Sequence, residues 1–148
     1  MAETDLKKLY AGRILELAAD IPCSDRLDAP HATAKKRSPL CGSTVTVDVV
    51  VENGVLTAFG QDVKACALGQ AAASVLGAHA IGRSLFEIET ARDQLKAMLT
   101  EDGAVPTAPF ADYAALEPAR DFRNRHASIL LAIEATAEAM AEATAKAA

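Results

Sequence analysis

Three short segments carry the side chains best suited to bind a soft metal or to take up sulfur. Cys41 stands in Pro39-Leu40-Cys41-Gly42-Ser43, Cys66 in Lys64-Ala65-Cys66-Ala67-Leu68-Gly69-Gln70, and His126 in Arg125-His126-Ala127-Ser128-Ile129-Leu130. The thiolate is the form of cysteine that ligates metals and acts as a nucleophile, and a helix N-terminus lowers a thiol pKa. Cys66 falls where a strand pattern gives way to a helix pattern. Cys41 closes a loop ahead of a β-hairpin, next to a glycine that allows a sharp turn or a close backbone approach. Either cysteine alone reads more simply as a small buried apolar residue. Their separation of 25 residues (66 − 41) matches no local zinc motif.

The remaining candidates are weaker. Cys23 lies in a polar loop beside Pro22 and Ser24 and reads as incidental. His31 reads as solvated loop and His79 as a helix surface residue. Asp62, Glu87 and Glu89 form no pair suited to acid–base work, and there is no Gly-rich phosphate loop. With no nucleophile–base–orienter trio, the chain is not expected to be an enzyme.

The elements that must position these residues follow from periodicity. Thr4 can cap a helix running to about Asp20, within an N-terminal segment 1–21, with Leu6, Leu9, Tyr10, Ile14 and Leu17 at helical spacing. Residues 22–31 read as loop, and Ala32 to Arg37 as a short exposed strand. Val45, Val47, Val49 and Val51 share one face of a strand that ends in Glu52-Asn53-Gly54, a strong hairpin signal, with a return strand from Val55 to about Gln61. A helix rich in small residues follows from Ala67 to about Ala80. Ser84 and Glu87 make a capping box for a helix reaching about Leu99. A short helix from Ala111 to Leu116 should stop at Pro118. The last helix starts near Asn124, and its end, 140–148, is expected to fray. The expected fold class is α+β, a three-stranded antiparallel sheet packed against helices in a single domain.

Composition narrows the function. The chain has 148 residues, a net charge of −5 and 4% aromatic residues with no Trp, so neither a basic footprint nor a stacking platform for nucleic acid is present. The basic run Lys35-Lys36-Arg37 reads as a solvated strand edge, or else as a docking patch for an acidic partner. The acidic opening Met1-Ala2-Glu3-Thr4-Asp5 does not resemble a signal peptide, no apolar run approaches membrane-spanning length, and an odd cysteine count favours reduced thiols, all pointing to a cytoplasmic location.

Taken together, Pro39-Leu40-Cys41-Gly42, the valine-rich strand and Asn-Gly turn, Cys66-Ala67-Leu68-Gly69-Gln70-Ala71 with Ser74, and His126-Ala127-Ser128-Ile129-Leu130 resemble the IscU/NifU-type family of iron–sulfur cluster assembly scaffolds. The resemblance covers most of residues 6–140. It implies a SufE/NifU-like sandwich in which three cysteines gather at one exposed end, beside an aspartate and often a histidine. It further implies that this site receives iron and sulfide, holds a [2Fe–2S] cluster transiently and passes it on. Cys41 and Cys66 match the first two cysteines and His126 the histidine before the third. The third cysteine is Ala127 here, and the aspartate is Ser43. The Leu-Pro-Pro-Val-Lys chaperone motif of the family is missing, with Leu116-Glu117-Pro118-Ala119-Arg120 a distant echo.

The resemblance thus implies Cys41, Cys66 and His126 as metal ligands, with Ser43 as a secondary residue, and charge near the thiols adds Lys64 and Arg125. Lys64 and Arg125 would favour a thiolate, although Arg123 and Arg125 also suit a solvated helix start. The implied partners are a cysteine desulfurase and acceptor apo-proteins, with a homodimer able to share a cluster through four thiolates. Two other readings stay open. One is a degenerate paralogue binding Zn²⁺ or Fe²⁺ without building clusters. The other is a module kept for docking a desulfurase.

Overall fold

The computed structural model describes residues 12–147. The order is α1 (Arg13–Ala19), β1 (Ala32–Arg37), β2 (Thr44–Glu52), β3 (Val55–Lys64), α2 (Ala67–His79), α3 (Leu85–Thr100), a 3₁₀ stretch (Ala111–Asp121) and α4 (Arg123–Ala147). The strands form one antiparallel sheet in the order β1-β2-β3. The expected Thr4 cap and the positions Leu6, Leu9 and Tyr10 lie outside the described residues; within them, Ile14 and Leu17 are buried.

Alternation decides the sheet's two faces. Val45, Val47 and Val49 are fully buried on the inner face, where α4 lies across β1 and β2 and also packs on α2 and α3. Thr44, Thr46 and Asp48 point the other way. Asn53 and Gly54 both take positive φ, 54° and 81°, as the two-residue hairpin requires. The β3 strand continues to Lys64, three residues beyond the expected end, and pairs Thr44 with Lys64.

Asp48 is a carboxylate with no exposure in the middle of a valine strand. The Arg26 guanidinium, the Thr33 hydroxyl and the Leu27 amide, 3.1 Å away, all donate to it. Burial alone would raise its pKa, but those donors prevail and hold it below the usual carboxylate range. This latch draws the loop after α1 across one half of the outer face.

The helices follow local signals closely. Ser84 accepts from the Glu87 amide at 3.1 Å, and Glu87 accepts from the Ser84 amide at 3.0 Å, forming the expected capping box. Ile88, Ala91, Leu95 and Met98 face inward; Leu85 is only half-buried. The short helix expected to stop at Pro118 is instead a 3₁₀ stretch that contains it. Tyr113, Leu116 and Ala119 are buried at the three-residue period of that helix type. The last helix, expected to fray from residue 140, is helical through Ala147 and buries Met140 and Ala143.

Candidate functional site

The loop before β2 is a tight turn. The Gly42 amide donates to the Ser38 carbonyl at 3.0 Å, and the Ser38 amide donates to the Ser43 carbonyl at 2.8 Å. Gly42 sits at φ +72°, a conformation that a side chain would strain. This turn lifts Cys41 into solvent at the rim where β2 begins. Because Thr44 pairs with Lys64, the end of β3 and the start of α2 lie at the same rim. Cys66 is the N-cap residue of α2, as its expected place at a helix N-terminus requires.

The third contributor is the first turn of α4. It approaches α2 so closely that a Cβ on Gly69 would lie 2.8 Å from the Ser128 hydroxyl and 2.8 Å from Ala65 Cβ. That contact sets a chain of polar atoms. Cys41 Sγ lies 3.0 Å from Ser43 Oγ, the Ser128 hydroxyl donates to Ser43 Oγ at 3.1 Å, and Cys66 Sγ lies 3.5 Å from Ser128 Oγ. Two thiols far apart in the chain are thus joined through two buried serines.

The surroundings favour thiolates. Hydroxyls of Ser38 and Ser43 are the leading causes that bring Cys41 from an ordinary value of 9.0 to about 6, with smaller help from the Ser43 amide and from Ser128. Ser38 is fully buried, and its hydroxyl forms no completed hydrogen bond, so it acts as a nearby dipole. Burial pushes the Cys66 thiol up. Ser128, the amides of Gly69 and Leu68 in the first turn of α2, and the Arg125 guanidinium outweigh it and leave Cys66 lowered.

His126 is placed differently from the expectation. It is buried, its Nε2–H donates to the Ala119 carbonyl at 3.0 Å, and it lines a cavity with Leu99, Thr100, Asp102, Arg120, Asp121 and Arg123. Neither cysteine lines that cavity. Positions 126 and 128 point about 200° apart on an α-helix, so the face that presents Ser128 to the thiols turns His126 away. Among the described residues no three His, Cys, Asp or Glu side chains are grouped to hold a metal ion. What the described residues bring together at this rim is two thiols with hydroxyl support.

The Arg125 guanidinium helps to lower the Cys66 thiol, whereas Lys64 stands 75% exposed on the outer sheet face, 3.9 Å from Asp62. Ser43 contributes as a donor beside Cys41. Ser38 and Ser128 were missed; a hydroxyl inside an apolar helix run, as in Ser128-Ile129-Leu130, is the signal that could have found the latter. Cys23 lies apart from the other two: burial raises its pKa, and its S–H points at the Gly77 carbonyl at 3.8 Å. His31 is exposed in its loop, its Nδ1 accepting from the Val51 amide at 3.2 Å. His79, expected at the helix surface, is half-buried and packs edge-on against Phe110.

A three-stranded sheet under helices with paired cysteines at one rim defines a class of small α+β thiol-bearing domains. Solved structures share this fold. A nitrogen-fixing NifU-like protein (N-terminal) from Brucella abortus matches with a TM-score of 0.93 and 43% identity, over 96% of this chain and 99% of that one. A putative iron–sulfur cluster assembly scaffold protein for the SUF system from Fervidobacterium islandicum AW-1 shares the fold, with a TM-score of 0.80 and 15% identity over 90% of this chain and 98% of that one. No family model and no curated protein matches the chain. At 43% identity over nearly its full length, the chain belongs to the NifU-like family of the IscU/NifU type. No described helix is long and apolar enough to cross a membrane.

Proposed function

We propose that this protein is an iron–sulfur cluster assembly scaffold or carrier that takes iron and sulfide as cargo on the Cys41 and Cys66 thiolates. The observation that carries the reading is the meeting of both thiols at one rim through Ser43 and Ser128. The relatives support it: one is named NifU-like and another a putative cluster assembly scaffold.

The chemistry follows from the donor set. Cys41 is exposed and favours the thiolate at neutral pH, ready to engage iron. The Cys66 thiol is lowered as well, with the α2 amides and Arg125 stabilising its thiolate form. Cluster iron is ordinarily held by four protein ligands, and one chain brings two thiolates. The other positions fall to a second copy or to the receiving protein, so the cargo is held incompletely and is ready to move on. Ala127 and Ser43 remove two anionic ligands, and His126 is committed to Ala119. In this reading the chain carries cargo without catalysing turnover. A cysteine desulfurase supplies sulfur, apo-proteins receive the cluster, and the work takes place in the cytoplasm.

Anaerobic reconstitution with iron and sulfide tests the proposal. The expected result is a cluster chromophore in the wild type that disappears in Cys41→Ser and in Cys66→Ser. A colourless product at every iron:sulfide ratio, or stoichiometric zinc without sulfide in freshly purified protein, would overturn it.

A further inference from the structure

Among the described residues, the outer face of the sheet is covered on one half only. Asp48 and Gly60 lie under the loop that Arg26 and Leu27 pin down, with the exposed Thr33 at its margin. The half nearer the thiols is open. There the register sets Lys35 beside Thr46 and Thr46 beside Asp62, then Arg37 beside Thr44 and Thr44 beside Lys64. All six share the face of Thr33 and Asp48, because they stand an even number of residues away along their strands or pair with one that does. Lys35 and Arg37 are exposed and, among the described residues, form no ion pair. Lys64 meets Asp62 only at 3.9 Å with both side chains solvated, a contact worth little.

This patch carries three cations against one carboxylate, on a chain whose net charge is −5. It adjoins the thiols: the Arg37 guanidinium comes within 3.9 Å of where a Cβ on Gly42 would sit, beside Cys41. Threonines between the cations keep the face flat and able to hydrogen-bond. The same patch of a second copy would bring like charge against like charge. Nucleic acid is disfavoured by the acidic remainder of the protein and by the lack of aromatic side chains in the patch.

We infer that the open half of the sheet's outer face, from Lys35 and Thr46 to the thiol rim, docks a carboxylate-rich protein surface. Given the scaffold reading above, docking there presents an acidic cargo partner to Cys41 and Cys66. Charge complementarity of this kind acts chiefly on the rate of encounter and weakens with salt.

The test uses an acidic [2Fe–2S]-type apo-ferredoxin as the probe and Lys35→Glu/Thr46→Glu as the variant, since neither residue touches the thiols. Cluster transfer from the reconstituted wild type should slow as salt rises. The variant should take up the same cluster and release it to a small free thiol at the wild-type rate, yet transfer to the apo-ferredoxin at least about tenfold more slowly at low salt. Equal transfer rates for wild type and variant at every salt concentration would overturn the docking proposal while leaving the scaffold reading intact. If the wild type takes up no cluster, the scaffold reading fails and docking is still decided by carbodiimide cross-linking of the metal-free protein to the same apo-ferredoxin. Cross-links mapping to Lys35 or Lys64 support it, and their absence, or competition by an RNA oligonucleotide at an equal charge concentration, refutes it.

Discussion

Ser43 and Ser128, 85 positions apart in the chain, bring their hydroxyls to 3.1 Å of one another and so join the loop before β2 to the first turn of α4. Each serine also contacts one thiol, Ser43 at Cys41 and Ser128 at Cys66. The site is thereby a property of the assembled fold and of no single segment. Its behaviour should change when this link, or the packing behind it, is disturbed.

The first consequence concerns pH. The folded-state pKa of Cys41 is about 6, below its ordinary value of 9.0, so ionisation of this thiol favours the folded state. That contribution is complete above the unfolded value and is lost as pH falls through about 6. Alkylation of Cys41 by iodoacetamide, followed by mass spectrometry against pH, should show a midpoint near 6, and Ser43→Ala should move that midpoint upward.

Ser128→Ala should raise the thiol pKa of Cys66, because Ser128 is the foremost of the groups that lower it. The same alkylation series, read at Cys66, checks this. Ser128→Thr should restore most of the wild-type profile, since it keeps a hydroxyl at the position.

Gly69→Ala places a methyl group 2.8 Å from Ser128 Oγ and from Ala65 Cβ. Relieving that overlap pushes α2 away from α4 at the site, at a cost of about 1–3 kcal/mol. Urea denaturation should show the loss as a lower midpoint with an unchanged slope.

Asp48→Ala should destabilise the fold without touching the thiols. It leaves the Thr33 hydroxyl and the Leu27 amide without their acceptor, at a cost of about 1–3 kcal/mol. Because the Asp48 pKa is depressed, its contribution is present above the ordinary carboxylate value and is lost as pH falls below it. Wild type and variant should therefore converge in stability as pH falls into the acid range, which thermal melts at a series of pH values would record.

Much of this architecture is legible in the residues themselves. The Asn53-Gly54 turn, the alternating valines and the Ser84–Glu87 box are local signals, and each forms where its chemistry demands. Errors arise where tertiary packing decides. Asp62 and Lys64 continue β3 in a polar alternation that resembles loop. Pro118 is compatible with the 3₁₀ stretch that contains it, so a helix-breaking residue did not end the element. Cys41 and Cys66 stand out as candidates because Gly42 beside the one and the helix start at the other are sequence features. His126 was misplaced because its neighbour in sequence points at the thiols from another side of the same helix, and only the packing of α4 on α2 selects which side. Ser38 and Ser128 carry no chemical signature until that packing buries them beside sulfur.

Native mass spectrometry of the anaerobically reconstituted protein tests the central claim, that Cys41 and Cys66 act as one cargo site, most directly. The account predicts a species carrying two irons and two sulfides on a pair of chains, present in His126→Ala and absent from both Cys41→Ser and Cys66→Ser. A cluster of the same mass that survives loss of either thiol, or that depends on His126, would contradict it.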